Sequence, residues 1–126
     1  MIGTAVLLTT PVALAAAGRV SADGNGTGVD ISAYEGKGSV LVSVHFVSGT
    51  STYDGKLQEC ATSGGTYTDV TGGAITQVGT TDPGLIKIDV DINALQAFVR
   101  WVDDVGGAGS PVYDRCVLLV ATKKQG

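Results

Sequence analysis

The stretch YDGKLQECATSGGTYTDVTGGAITQV, residues 53–78, places two glycine pairs between short segments of alternating character. Glycine takes positive φ without a steric penalty, so a glycine pair between such segments predicts a tight turn. The pattern predicts three short strands, residues 53–60, 66–70 and 74–78, with turns at residues 63–65 and 71–73. No residue here is typical of a nucleophile, an acid–base pair or a phosphate cradle, so the stretch predicts a β-scaffold.

The rest of the chain repeats this pattern of short strands and turns. Its 126 residues fit one domain, and 44% are hydrophobic while 16% are charged and 19 are glycines. Eight or nine short strands with no convincing helix predict an all-β fold, a single antiparallel jelly roll or β-sandwich of about eight short strands with an extended N-terminal segment. Further strands are predicted at residues 29–31, 39–47, 85–92, 98–105 and 113–121.

Alternation within the predicted strands indicates which side chains are buried. The period of two places Val40, Val42, Val44 and Phe46 on one face of their strand, and Trp101 is expected in the core. The segment 113–121 is apolar enough for a strand buried on both faces or lying at a subunit contact. Turns are predicted at residues 34–38 and at 93–96, the latter capped by Asn93, with a hairpin loop at residues 106–111.

The N-terminal residues form an apolar segment followed by a glycine-rich loop. We assign residues 1–28 to this segment and loop, as part of the same domain as the β-sandwich of residues 29–126. No basic residue precedes the apolar run and Pro11 interrupts it, which argues against a secretory signal, and the run is short for a membrane span. The segment is expected either to pair with the sheet or reach a partner, or to be a first core strand. Five residues are the candidate partner interface: Val6, Leu7, Leu8, Val12 and Leu14.

Charge and cysteine content argue against several classes of site. The net charge is −4 and the basic residues are scattered, whereas nucleic-acid binding needs a clustered basic face. Two cysteines and one histidine do not make a zinc site, and Cys60 and Cys116 are interpreted as buried thiols, or as one disulfide in an oxidising compartment. We expect no nucleic acid, membrane or cofactor partner.

Two patterns that could carry chemistry have simpler interpretations. The spacing of Asp89, Asp91 and Asn93 is similar to the start of a calcium loop, but Ala94 and Arg100 stand where glycine and glutamate are required. Alternation instead makes the two aspartates outward residues of a strand. His45 falls on the more polar face of its strand and has no carboxylate partner by spacing, so the sequence predicts no enzyme and no catalytic or metal residues.

Four segments carry a resemblance to a known family. They are GVDISAYEG (residues 28–36), KLQE (56–59), GTYTDV (65–70) and AITQV (74–78). In this order they resemble small structural proteins encoded beside the major capsid protein in tailed bacteriophages. Some of these are cement, or decoration, proteins with a jelly-roll fold, which sit as trimers on the outside of the icosahedral shell.

The resemblance implies binding without chemistry. A cement protein bridges neighbouring subunits of the major capsid protein, and the symmetry of the shell repeats each contact many times. It implies a viral structural protein, a homotrimer, made in the host cytoplasm and located on the capsid outer surface of the virion. The alternatives are a carbohydrate-binding β-sandwich module, for which Trp101 would be the aromatic platform, and another virion component such as a tail or fibre protein.

Overall fold

Strands whose side chains alternate between buried and exposed positions form two antiparallel sheets that pack face to face. The protein was analysed as a computed structural model, which describes residues 9–81, 84–106 and 108–124. The nine strands are β1 Thr9–Val20, β2 Gly24–Asn25, β3 Val29–Asp30, β4 Tyr34–Ser48, β5 Tyr53–Cys60, β6 Thr68–Ala74, β7 Gly84–Asp91, β8 Phe98–Val105 and β9 Val112–Lys123. A single 3-10 turn, Ile92–Ala94, is the one helical element in the described part of the chain. Helical membrane spans are therefore absent from these residues.

The strand pairs are nested along the chain. One sheet has the order β1-β9-β4-β7, and the other has the order β2-β8-β5-β6, with β3 also pairing with β8. The first strand therefore pairs with the last, β2 and β3 pair with β8, β4 pairs with β7, and β5 pairs with β6. The all-β sandwich predicted from the sequence is confirmed.

The core lies between the sheets and follows the period-two alternation. Val40, Val42 and Val44 on β4 are fully buried, as the alternation predicts, while Phe46 is half-buried against the core. Trp101 on β8 is also fully buried, which confirms its predicted place. Side chains of this kind each gain roughly 1.5–3 kcal/mol on leaving water, so the inward faces of the two sheets hold the sandwich together.

The predictions for residues 66–78 were wrong in detail. Strand β6 begins at Thr68 and continues through Gly72 and Gly73 to Ala74, where a turn was predicted. Gly72 has a φ of +76°, and the pairing with β5 shifts register between Lys56 and Gln58. The glycines therefore accommodate an irregularity within a strand. Ala74 is the last residue of β6, and residues 75–78 form no strand but a single bridge, between Val78 and Tyr53.

Two predicted turns also differ from the structure. Residues 34–38 belong to β4, because Tyr34 and Glu35 already pair with β9 and Gly36 absorbs the irregularity at a φ of +77°. The 3-10 turn is capped by Asp91, whose Oδ1 accepts from the Asn93 backbone nitrogen at 3.1 Å. Asn93, the predicted cap, instead accepts from the Gly36 backbone nitrogen at 3.2 Å.

The connection before β9, and β9 itself, differ from what the sequence predicted. Residues 106–111 join β8 to β9, which lie in different sheets, so this connection crosses between the sheets and is not a hairpin loop. Strand β9 is not buried on both faces. Tyr113, Val117 and Leu119 are buried, whereas the intervening Leu118 and Val120 are half-exposed on the outer face. Whether that face meets another subunit stays a prediction.

Candidate functional site

Four side chains from both sheets form a polar cluster inside the sandwich, which we name the inter-sheet cluster. Trp101 Nε1 donates to the Tyr53 hydroxyl at 2.8 Å, and that hydroxyl donates to Asp103 Oδ1. Arg115 donates from Nε and Nη2 to the two Asp103 oxygens at 2.9 and 2.6 Å. Arg115 Nη1 also donates to the Ala16 carbonyl at 2.7 Å. The cluster therefore links β5 and β8 of one sheet to β9 and β1 of the other.

Alternation explains how these residues meet. Trp101 and Asp103 both point inward from β8, and the register pairs Trp101 with Leu57 and Asp103 with Gly55 on β5. Tyr53 lies two positions before Gly55 on the same inward face of β5. Because Gly55 has no side chain, the Trp101 ring lies against the backbone of β5 at this position.

The surroundings raise the pKa of two members of the inter-sheet cluster. Burial, followed by the hydrogen bond to Asp103, raises the pKa of the Tyr53 hydroxyl well above its usual range. The hydrogen bonds to Asp103 raise the pKa of the Arg115 guanidinium. In the ranges that the structure describes, no buried side-chain nitrogen or oxygen lacks a hydrogen-bond partner. The cluster therefore acts as an internal cross-link, since its donors and acceptors are already engaged with one another.

A second group of charged residues lies at the end of the five-stranded sheet. Burial and the nearby carboxylates of Asp23 and Asp54 raise the pKa of Asp104. Asp23 Oδ1 accepts from the Val105 backbone nitrogen at 2.7 Å, and Asp54 Oδ2 accepts from Gln77 Nε2 at 3.0 Å. Among the described residues, no group of three or more histidine, cysteine or acidic side chains is arranged to hold a metal ion. Asp23 thus holds the end of β8 through its backbone, and Asp54 holds the Gln77 side chain.

Asp89 and Asp91 lie at one end of β7, and His45 lies towards the other end of the β4–β7 pair. Asp89 and Asp91 point outward, as alternation predicts, and their carboxylates pair with Lys87 at 3.4 Å and Lys37 at 3.1 Å. His45 is exposed on β4 opposite Asp114 of β9.

Both cysteines are free thiols. Cys60 is buried, as predicted, and Cys116 is half-buried on β9.

The candidate interface residues divide into two groups. Val6, Leu7 and Leu8 lie outside the described residues. Val12 and Leu14 lie on β1, which pairs with β9 as an edge strand. Leu14 is buried and Val12 is half-buried against the core, so both contribute to this chain's own sandwich instead of an arm reaching outward. The expectation that the segment pairs with the sheet is thus met from Thr9 onward.

The outer faces of the two sheets differ in character. On the five-stranded sheet, polar side chains bond to one another: Lys56 and Gln58 to Asp69, and Arg100 to Gln58. On the four-stranded sheet, apolar side chains form a surface that we name the apolar stripe. Its members are Leu41 on β4, Leu85 on β7, and Cys116, Leu118 and Val120 on β9.

Sequence reasoning missed the inter-sheet cluster and the neighbours of β9 in the apolar stripe. A signal for the first was present, because Asp103 shares the inward phase of β8 with Val99 and Trp101. A carboxylate on the buried face of a strand needs a hydrogen-bonding or charged partner. Sequence spacing could not identify Arg115 as that partner, because Arg115 lies in the other sheet. For the stripe, residues 113–121 were predicted to be buried on both faces or to lie at a subunit contact, but no pattern placed Leu41 of β4 beside them.

No protein-family model matches this chain, and no curated protein matches it.

Proposed function

We propose that this chain is a cement, or decoration, protein that binds the outside of an icosahedral bacteriophage capsid. It bridges subunits of the major capsid protein and acts through contact area without a chemical step. The observation that carries the proposal is the position of β1. This strand lies at the edge of the four-stranded sheet, and the apolar sequence MIGTAVLL precedes it in the chain, so we propose that a neighbouring subunit buries this sequence.

The strand order supports a jelly roll within this proposal. The first strand pairs with the last, and each later strand pairs with the next one in from the end. This pattern results when one long antiparallel ribbon folds over into two sheets. We assign the sandwich to this architecture, in which strands β2 and β3 act as two halves of one strand on β8. A homotrimer on the virion surface is the assembly implied by the family resemblance.

The carbohydrate-binding alternative loses its main residue. Trp101, the aromatic weighed as a sugar platform, has no exposed surface and donates its indole hydrogen to Tyr53. A sugar ring stacks only on an aromatic face that is accessible from solvent. A location in the tail or fibre is distinguished from the shell by electron microscopy of the virion.

The test is binding to purified capsids that lack this protein. We expect the chain to co-sediment with the shells, to appear as density on their outer surface by electron cryo-microscopy, and to raise the temperature at which they rupture. Removing residues 1–8 should lower the occupancy while leaving the unfolding of the sandwich unchanged, because β1 begins at Thr9.

The matched control for this deletion is Val102→Ser. Val102 is a half-buried apolar residue on β8, on the outer face of the five-stranded sheet. This variant should keep full occupancy. Shells that fail to bind the full chain, or density found only on the tail, would contradict the proposed function.

A further inference from the structure

The apolar stripe runs along β9 and reaches β1 and β4 on the outer face of the four-stranded sheet. The register places Leu41 of β4 opposite Leu118 of β9, and Leu118 opposite Ala13 of β1, while Lys87 of β7 lies on the other side of Leu41. One row further along, Ser43 stands between Cys116 and Leu85, and Leu85 is 78% exposed. Contiguous apolar surface of this kind marks a contact site on soluble proteins.

The charges around the stripe nearly balance one another. Three ion pairs lie on this outer face, Arg19–Asp114, Lys37–Asp91 and Lys87–Asp89, and the exposed Glu35 of β4 adds a fourth acidic group to the three basic and three acidic ones. The buried Asp103–Arg115 pair is balanced. Most of the net charge of −4 therefore comes from the rest of the chain.

This distribution of charge favours a second copy of the chain as the partner of the face. Two copies of an acidic protein repel each other wherever like charges meet, and such juxtapositions oppose association. The face with the apolar stripe has one more acidic than basic group, and each of its ion pairs presents both signs to an approaching copy. A second copy can therefore approach this face with less repulsion than the remaining surface creates.

The dimensions of the face are adequate for a specific but weak contact. Four strands spaced about 4.8 Å apart, with eight residues rising about 3.4 Å each, give a footprint of roughly 500 Å² per copy. Two such faces bury roughly 1,000 Å² in total, the lower end of specific interfaces.

We infer that the apolar stripe is the surface through which copies of this chain associate with one another. The inference concerns the chain in solution and goes beyond capsid binding, because it names the surface of self-contact. Two copies face to face, or three around a common axis, bury the same side chains, so the measured mass gives the stoichiometry.

The experiment measures mass by light scattering and sedimentation from about 1 μM to about 1 mM, a range that covers weak interfaces of this area. The full-length chain should exceed its monomer mass of 12.7 kDa as concentration rises. Leu118→Glu should weaken association by about a hundredfold or more, because the new carboxylate would be buried without a partner. Leu85→Glu makes the same test at a side chain too exposed to disturb folding, which circular dichroism verifies for each variant.

The matched control is Val102→Glu on β8. Val102 is a half-buried apolar residue on the outer face of the other sheet, and a glutamate at this position would face Lys56 across the strand pair. This variant should associate like the unmodified chain. A chain that stays monomeric throughout, or one whose association survives both Leu118→Glu and Leu85→Glu, would overturn the inference. So would monomers that associate only after residues 1–8 are removed, since the chain's own N-terminus would then cover the stripe.

The result is separable from the proposed function. A monomeric chain that still decorates capsids would refute self-association through the stripe and leave the cement function standing. A self-associating chain that leaves capsids bare would do the reverse.

Discussion

Asp103 and Arg115 form an ion pair in which both side chains are largely shielded from water, with exposed fractions of 9% and 15%. It is the one such pair among the described residues. Their contact is bidentate, and Tyr53 supplies a further hydrogen bond to the carboxylate. Each charge has been removed from water, and its partner compensates for that loss. Removing one partner leaves the other buried and unpaired, which costs far more than the pair contributes on its own.

We expect Arg115→Met to lower the free energy of unfolding by about 3–5 kcal/mol, because the Asp103 carboxylate is then buried without its cation. Urea denaturation followed by Trp101 fluorescence measures this change. Combining Arg115→Met with Asp103→Leu should restore part of the stability, since no lone charge remains.

Lys87→Met is the matched control, because Lys87 pairs with Asp89 on the surface at exposures of 63% and 81%. Exposed pairs contribute about 0–1 kcal/mol, so this variant should unfold almost like the unmodified chain. Equal losses for Arg115→Met and Lys87→Met would show that the inter-sheet cluster does not stabilise the sandwich as we describe.

At the scale of single strands, the alternation of β4, β7 and β8 was predictable because each of these strands is buried on one face only. A period of two then follows directly from the pleat of the sheet. The glycine positions were harder to interpret. Gly72 and Gly36 were assigned to turns, yet both lie within strands, because positive φ serves an irregularity in a strand as well as a turn.

Contacts between strands from different sheets could not be derived from spacing. Asp103 and Arg115 are twelve residues apart, but they meet only because β8 and β9 lie in opposite sheets with inward faces opposed. The sequence predicted a hairpin between these strands, which would have placed the two residues in one sheet. The inter-sheet cluster therefore depends on topology, and topology was not encoded in any local pattern.

Strand β5 depends on the absence of a side chain at Gly55. A methyl group there would overlap the Trp101 ring and lie 2.9 Å from Tyr53 Cε1. Both rings are held by hydrogen bonds within the inter-sheet cluster, so neither can move aside freely. We expect Gly55→Ala to lower the free energy of unfolding by about 1–3 kcal/mol, as overpacking of a filled core does. Thermal and urea unfolding measure the change.

Gly24→Ala provides the comparison for this substitution. Gly24 lies on β2, and a methyl group there meets no atom within 4 Å. Alanine should be neutral or slightly stabilising at this position, because it restricts the unfolded chain. If Gly55→Ala proves as harmless as Gly24→Ala, the close approach of Trp101 to β5 is not a constraint on the fold.

At the scale of the whole molecule, the pairing of the first strand with the last controls how the sandwich can form. Thr9 pairs with Thr122, and β9 lies between β1 and β4 in the sheet. The four-stranded sheet therefore lacks a central strand until residues 112–123 are in place. Both edges of the gap would expose unpaired backbone groups, so a chain that ends before β9 cannot complete the sheet.

We expect folding in milliseconds to seconds, because the closing pairs join residues far apart in sequence and the loop entropy must be lost before those contacts form. Stopped-flow dilution from urea tests this, with the single tryptophan as a probe, since Trp101 becomes fully buried on folding. A variant truncated after residue 111 should show no cooperative transition, whereas a control truncated after residue 124 should fold like the full chain. Folding in microseconds, or a cooperative transition in the variant without β9, would mean that the remaining strands form a stable core before the sheet is closed.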